Sequence, residues 1–151
     1  MLNINRHKNI FYLLFAFTIY NLFFINKAFH IDDPSTIYIT ESINRNLFSP
    51  QGFFSNPPFL GYYYLPVLKL FGQNEIIFHL FSLPFSWLAI ISMYVLGLRF
   101  IKDEHNILPV LFVISTPALI ITSQSIMLDM PGLAFLLSAM ASFIYGADKN
   151  D

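Results

Sequence analysis

The run from about Ile76 to Phe100 constrains this chain more than any other feature. A helix that crosses a bilayer needs about 20 mostly apolar residues, within a range of about 17–25. This run meets that length, and so do the stretches from about Ile10 to Ala28 and from about Met130 to Gly146. A shorter one from about Ile107 to Thr122 contains Pro109 and Pro117, and taken alone it suits a re-entrant segment. Composition favours lipid over a soluble core as the solvent for these runs. Charged residues make up 11% of the chain, against about 25% in soluble domains. The 18 Phe and 8 Tyr are more aromatic surface than a soluble core of 151 residues can cover. Hydrophobic content of 56% excludes a disordered chain. A net charge of -1 argues against a nucleic-acid partner. The absence of cysteine removes disulfides, thiolate nucleophiles and Cys-ligated metals. The expected fold class is an all-α integral membrane module over residues 1–151. It has about four transmembrane helices and interfacial amphipathic helices in a long first outer loop at about 29–75.

Arg6, His7 and Lys8 before the first run look like a signal-peptide n-region. The apolar run exceeds the usual h-region of about 7–15 residues, and Asn26-Lys27-Ala28-Phe29-His30 offers no small-x-small cleavage site, so it reads as an uncleaved anchor. Lys and Arg favour the cytoplasmic side. Arg6, Lys8, Arg99, Lys102 and Lys149 put both termini there, in a plasma membrane if the chain is bacterial. The link Ser123–Asp129 lacks Lys and Arg and faces outward with the 29–75 loop.

Within that loop, Asp33 suits an N-cap and Pro34 the first turn of a helix. Ile37, Tyr38, Glu41, Ser42 and Arg45 fall at helical spacing. Ile39, Ile43, Asn46 and Leu47 form a second, more apolar stripe, so this helix lies along the membrane surface. Ser49-Pro50-Gln51-Gly52 reads as a turn, and Asn56-Pro57-Pro58 as extended chain. Phe59–Gly72 reads as a second interfacial helix, broken near Pro66.

Acidic residues gather at the outer edge: Asp32, Asp33, Glu75 and Asp129. A carboxylate near a bilayer is costly and needs a reason. Capping supplies one for Asp33 before Pro34 and for Asp129 before Pro131. Asp32 has no capping role. A like-charged neighbour such as Asp33 can raise its pKa, which suits a general base. His30 with Asp32 and Asp33 offers one imidazole and two carboxylates to a divalent metal ion. Glu75 and His79 share a helix face, as an ion pair or a hydrogen bond at a helix start. His7 and His105 read as solvated flanks, and Lys27 and Lys69 as snorkelling to headgroups.

Four pieces in order resemble the opening of a polytopic GT-C glycosyltransferase. The type is family 39, related to protein O-mannosyltransferases and to aminoarabinose transferases of lipid A. Phe29-His30-Ile31-Asp32-Asp33-Pro34 resembles the acidic motif of the first outer loop. Asn56-Pro57-Pro58-Phe59 with Tyr62-Tyr63-Tyr64 resembles the PPL-Y segment. Phe71-Gly72-Gln73-Asn74-Glu75 through His79-Leu80 resembles the approach to the next helix, and Met127-Leu128-Asp129-Met130-Pro131 the later D-x-P motif. The resemblance implies a sugar donor carried on polyprenyl or dolichyl phosphate, and an acceptor hydroxyl on the outer face. It implies Asp32 as acid/base, Asp33 as its pair and Asp129 nearby. Asn56, Pro57, Tyr62, Tyr63, Glu75 and His79 would then be substrate-binding. Gln124 and Ser125 stand where many members carry Arg, and His79 stands where many carry another. Such enzymes have more spans than this chain holds, so a fragment is expected, with a second chain or a continuation supplying the rest. Two other classes stay open. One is a structural or orphan polytopic membrane protein, which would tolerate Asp32→Asn. The other is a transporter subunit, which would want polar groups in mid-span.

Overall fold

A computed structural model describes residues 4–25, 33–48, 58–101 and 104–150. Among these residues the structure is helical, with no strand. The order is α1 (Ile4–Phe23), α2 (Asp33–Arg45), α3 (Phe59–Phe71), α4 (Glu75–Phe100), α5 (Leu108–Ile114), α6 (Pro117–Thr122) and α7 (Asp129–Asn150), with a 3-10 turn at Glu104–Ile107 before α5. Two helices, Glu75–Phe100 and Asp129–Asp148, are long and apolar enough to cross a membrane.

α4 is the hub, packing against α7, α5, α3 and α1. Its start is set by Asn74, whose side chain accepts the Ile77 N–H at 3.2 Å. Its 26 residues continue through Pro84. One core joins Phe17 of α1, Ile37 of α2, Tyr64 of α3, Phe78 and Ile90 of α4, Val110 of α5 and Met130 of α7. Aromatic rings tie α3, α4 and α7 together. Phe59 meets Phe135 at a centroid distance of 5.7 Å and Phe85 meets Phe135 at 5.9 Å, both edge-on. At the far end of the α4–α7 pair, Arg99 forks onto both carboxylate oxygens of Asp148. α1 is tied to α4 by Trp87, whose indole N–H donates to Thr18 Oγ1 at 3.0 Å.

Three expectations change. The helix at Phe59–Phe71 is not broken at Pro66. Proline removes the hydrogen bond to the carbonyl one turn back, at Tyr62. Tyr62 and Pro66 are both exposed, so that carbonyl lies toward solvent, while buried Tyr64 and Val67 hold the helix by packing. The 107–122 stretch is not one helix. Thr116 is extended (φ -70°, ψ 133°), as a residue before proline prefers, and Pro117 opens α6. Finally, Ile37 is buried in the core and does not join the polar stripe of α2, while Ile39 and Ile43 are covered by α3.

Two glycines set how close these helices come. A Cβ on Gly61 would lie 2.6 Å from both Ile39 Cγ2 and Ile43 Cδ1. Ile43 Cδ1 is a side-chain tip that can rotate away, whereas Ile39 Cγ2 sits on a stiff β-branched carbon and the Ile39 backbone carbon follows at 3.3 Å. A Cβ on Gly97 would instead strike the backbone carbonyl oxygen of Asn106, which cannot move without shifting the 3-10 turn. Gly97→Val is therefore expected to lower stability by about 1–3 kcal/mol, with Gly61→Ala costing less. Denaturant titration of the detergent-solubilised chain checks both.

Candidate functional site

Asp33 opens α2 and is completely buried. Its Oδ1 accepts the backbone N–H of Ile126 at 3.0 Å, across 93 residues of chain. One turn further on, the Thr36 hydroxyl donates to the Ile126 carbonyl at 3.2 Å. The first turn of α2 thus holds both backbone polar groups of one loop residue. That residue sits between α6 and α7, three positions before Asp129. Three residues span at most about 11 Å, so the starts of α2 and α7 lie at one end of the bundle. Asp129, the first residue of α7, is exposed there.

A second polar group lies close by. Ser123 Oγ shares its one proton between the Ile120 carbonyl at 2.9 Å and Asn21 Oδ1 at 3.2 Å, and Asn21 Nδ2 donates to the Phe17 carbonyl at 2.9 Å. Asn21, His79, Ser123 and Gln124 line a small open pocket of about 10 Å3 together with Phe24, Ile25 and Leu83. That is room for about one water, in a wall polar enough to hold it. The end of α1, the second turn of α4 and the loop before α7 are joined here. Sequence reasoning missed Asn21 and Ser123. The signal was an amide inside an apolar run, which costs enough in lipid to need a partner.

The other expected substrate-binding residues divide. His79 is buried on α4, and Glu75 stands partly exposed at its start. The Tyr62 hydroxyl donates to the Leu47 carbonyl and the Tyr63 hydroxyl to the Phe81 carbonyl, each at 2.8 Å, so both link α3 to its neighbours. Tyr64 lies 2.6 Å from Ser82 Oγ in a buried hydrogen bond, and burial pushes its pKa above the ordinary tyrosine value. Ser125, at the position where the resemblance expects Arg, donates to the Thr122 carbonyl at 3.1 Å. His30, Asp32, Asn56 and Pro57 lie outside the described residues. The expected His30–Asp32–Asp33 metal set therefore rests mostly on residues outside them, and the described residues contain no group of three His, Cys, Asp or Glu able to hold a metal.

The arrangement supplies a buried carboxylate that fixes a loop, an exposed carboxylate at the end of that loop, and a polar pocket beside them. Comparison with family models, with curated proteins and with solved structures finds no match to this chain.

Proposed function

We propose that this chain is a membrane glycosyltransferase module, or part of one. It moves a sugar from a polyprenyl- or dolichyl-phosphate donor to an acceptor hydroxyl on the outer face. The supporting observation is the Asp33–Ile126 bond, which joins the two acidic segments that the resemblance treats as parts of one site. In this reading Asp32 takes the acceptor proton as the acceptor oxygen attacks the anomeric carbon. The bond from that carbon to the phosphate oxygen breaks, and the lipid phosphate leaves with the electron pair. A phosphate leaves readily without a strong acid, so one base is enough. Asp33, buried and bonded, acts as a positioning residue, and Asp129 stands at the edge of the site. A lipid-borne donor accounts for acids gathered at a membrane boundary.

The same proposal takes α1 and the 107–122 stretch as membrane elements beside α4 and α7, with both termini cytoplasmic and the acidic end outward. The test is the full chain in lipid nanodiscs with a radiolabelled polyprenyl-phosphate sugar and a hydroxyl acceptor. Transfer of label is the expected result. Absence of transfer, together with cysteine-accessibility mapping that puts position 32 or 129 on the cytoplasmic side, overturns the proposal.

A further inference from the structure

The chain between α4 and α7 runs nearly the length of α4 and is interrupted midway. The Asn106 carbonyl packs against Gly97 near one end of α4, and Ser123 lines the same pocket as His79 near the other. His79 and Gly97 are 18 residues apart, about 27 Å of helix rise, against about 30 Å for the hydrocarbon core of a bilayer. The break at Ser115-Thr116-Pro117 lies midway between these two anchors. It is satisfied in part from within. The Thr116 N–H and hydroxyl both donate to the Val113 carbonyl, and the Ser115 N–H and hydroxyl to the Leu111 carbonyl. Pro117 has no N–H, and the carbonyls of Phe112 and Ser115 accept no bond among the described residues. Leu108, Phe112 and Ser115 share one face of α5, and all three are exposed. Open backbone at membrane depth is tolerated where protein or water covers it, and not against lipid.

α7 carries the complement. Gly132, Ala139, Ser142 and Gly146 share its outer face, and all are exposed. A Cβ on Gly132 or Gly146 would meet nothing within 4 Å, so packing inside one copy does not require glycine there. Glycine within a helix costs stability, and in membrane helices small residues serve close approach by a neighbour. α5 and α6 run toward the acidic end of the bundle and α7 runs away from it. Two copies related by a two-fold axis along the membrane normal therefore set these segments antiparallel. Asp148 is bound to Arg99, two residues from Gly97. Ser142 is six residues from Asp148 and Phe112 six from Asn106, so the two lie within about one turn of the same depth. In that register Leu108, Phe112 and Ile121 come opposite Gly146, Ser142 and Gly132, large side chains against small, and the Ser142 hydroxyl falls at the open Phe112 carbonyl. α6 packs against α7 within one copy, so their outer faces adjoin and the contact can be mutual. We propose that a second copy of this chain covers the break with its α7. The proposal goes beyond sugar transfer and rests only on the membrane placement in that reading.

The chain has no cysteine, so introduced ones report alone. The experiment is copper-phenanthroline oxidation of the full chain in phosphatidylcholine vesicles, with Phe112→Cys and Ser142→Cys chains mixed and one of them tagged for size. A disulfide joining the two is expected at a yield at least about tenfold above that of either mixed with Ile91→Cys, since bridging needs Cα atoms within about 7 Å. Ile91 is an exposed position on α4. Leu108→Cys with Gly146→Cys gives the same reading one turn along if Phe112→Cys fails to insert. A nitroxide on Ser115→Cys is expected to be shielded from lipid-dissolved oxygen relative to one on Ile91→Cys. Absence of the mixed disulfide overturns the proposal, whether position 115 is open to lipid or shielded by something other than a second copy. A label at 115 as accessible to oxygen as one at 91 also overturns it. A chain that does not float with the vesicles overturns the membrane placement and this proposal together, whereas a chain that floats and forms no disulfide overturns this proposal alone.

Discussion

Asparagine in place of Asp32 is expected to slow sugar transfer by about 100- to 10,000-fold, the usual contribution of a positioned general base. The amide has nearly the same shape and cannot take the acceptor proton. Circular dichroism of the same variant checks that its folding survives. The measurement is single-turnover transfer at saturating donor, so that loss in the chemical step is read apart from loss of binding. A smaller loss, of about tenfold, is expected for Asp129→Asn, because that residue stands exposed at the edge of the site and takes no proton in the proposed step. A chain that transfers sugar equally well with both substitutions has its chemistry elsewhere.

The largest expected effect on stability is at Asp33. Asp33→Ala removes a hydrogen bond from a buried N–H to a carboxylate and leaves the Ile126 donor unsatisfied, at a cost of about 2–4 kcal/mol. Asp33→Asn keeps an oxygen in place for that donor, and a loss of about 1 kcal/mol is expected. Denaturant unfolding in detergent measures both. The alanine variant is also expected to free the loop at Ile126, since only the Thr36 hydroxyl would remain of the two contacts that α2 makes with its backbone. Limited proteolysis between α6 and α7 reads that directly. If the alanine variant is as stable as the unaltered chain, the Asp33 bond contributes nothing to holding the loop.

Helix positions in this chain are legible where local chemistry decides them. Asp33-Pro34, Glu75 and Asp129-Met130-Pro131 mark the starts of α2, α4 and α7 because proline and a short or acidic side chain suit a first turn. The end of α4 at Phe100 follows from the length of its apolar run. Pro66 is where local reasoning fails. The penalty for proline within a helix is real, but tertiary packing of Tyr64 and Val67 outweighs it. The candidate site is legible only in its ingredients. Asp33 reads as a cap from its neighbours, and nothing within a few residues indicates that its carboxylate reaches a backbone N–H 93 residues away. The link between Asn21 and Ser123 is hidden for the same reason. Apolar periodicity reports which face of a helix is covered, and it cannot name the covering residue. For that reason the α2 stripe at Ile39 and Ile43 suggested lipid where the structure has α3.

The bond between Trp87 and Thr18 gives this protein an optical reporter of its own. Trp87 is the single tryptophan in the chain, so all indole emission comes from the junction of α1 with α4. Separation of α1 would release the indole N–H and change its polarity, shifting the emission maximum. Fluorescence can therefore follow the docking of the first helix without any label, in detergent or in a bilayer, at protein concentrations too low for structural methods.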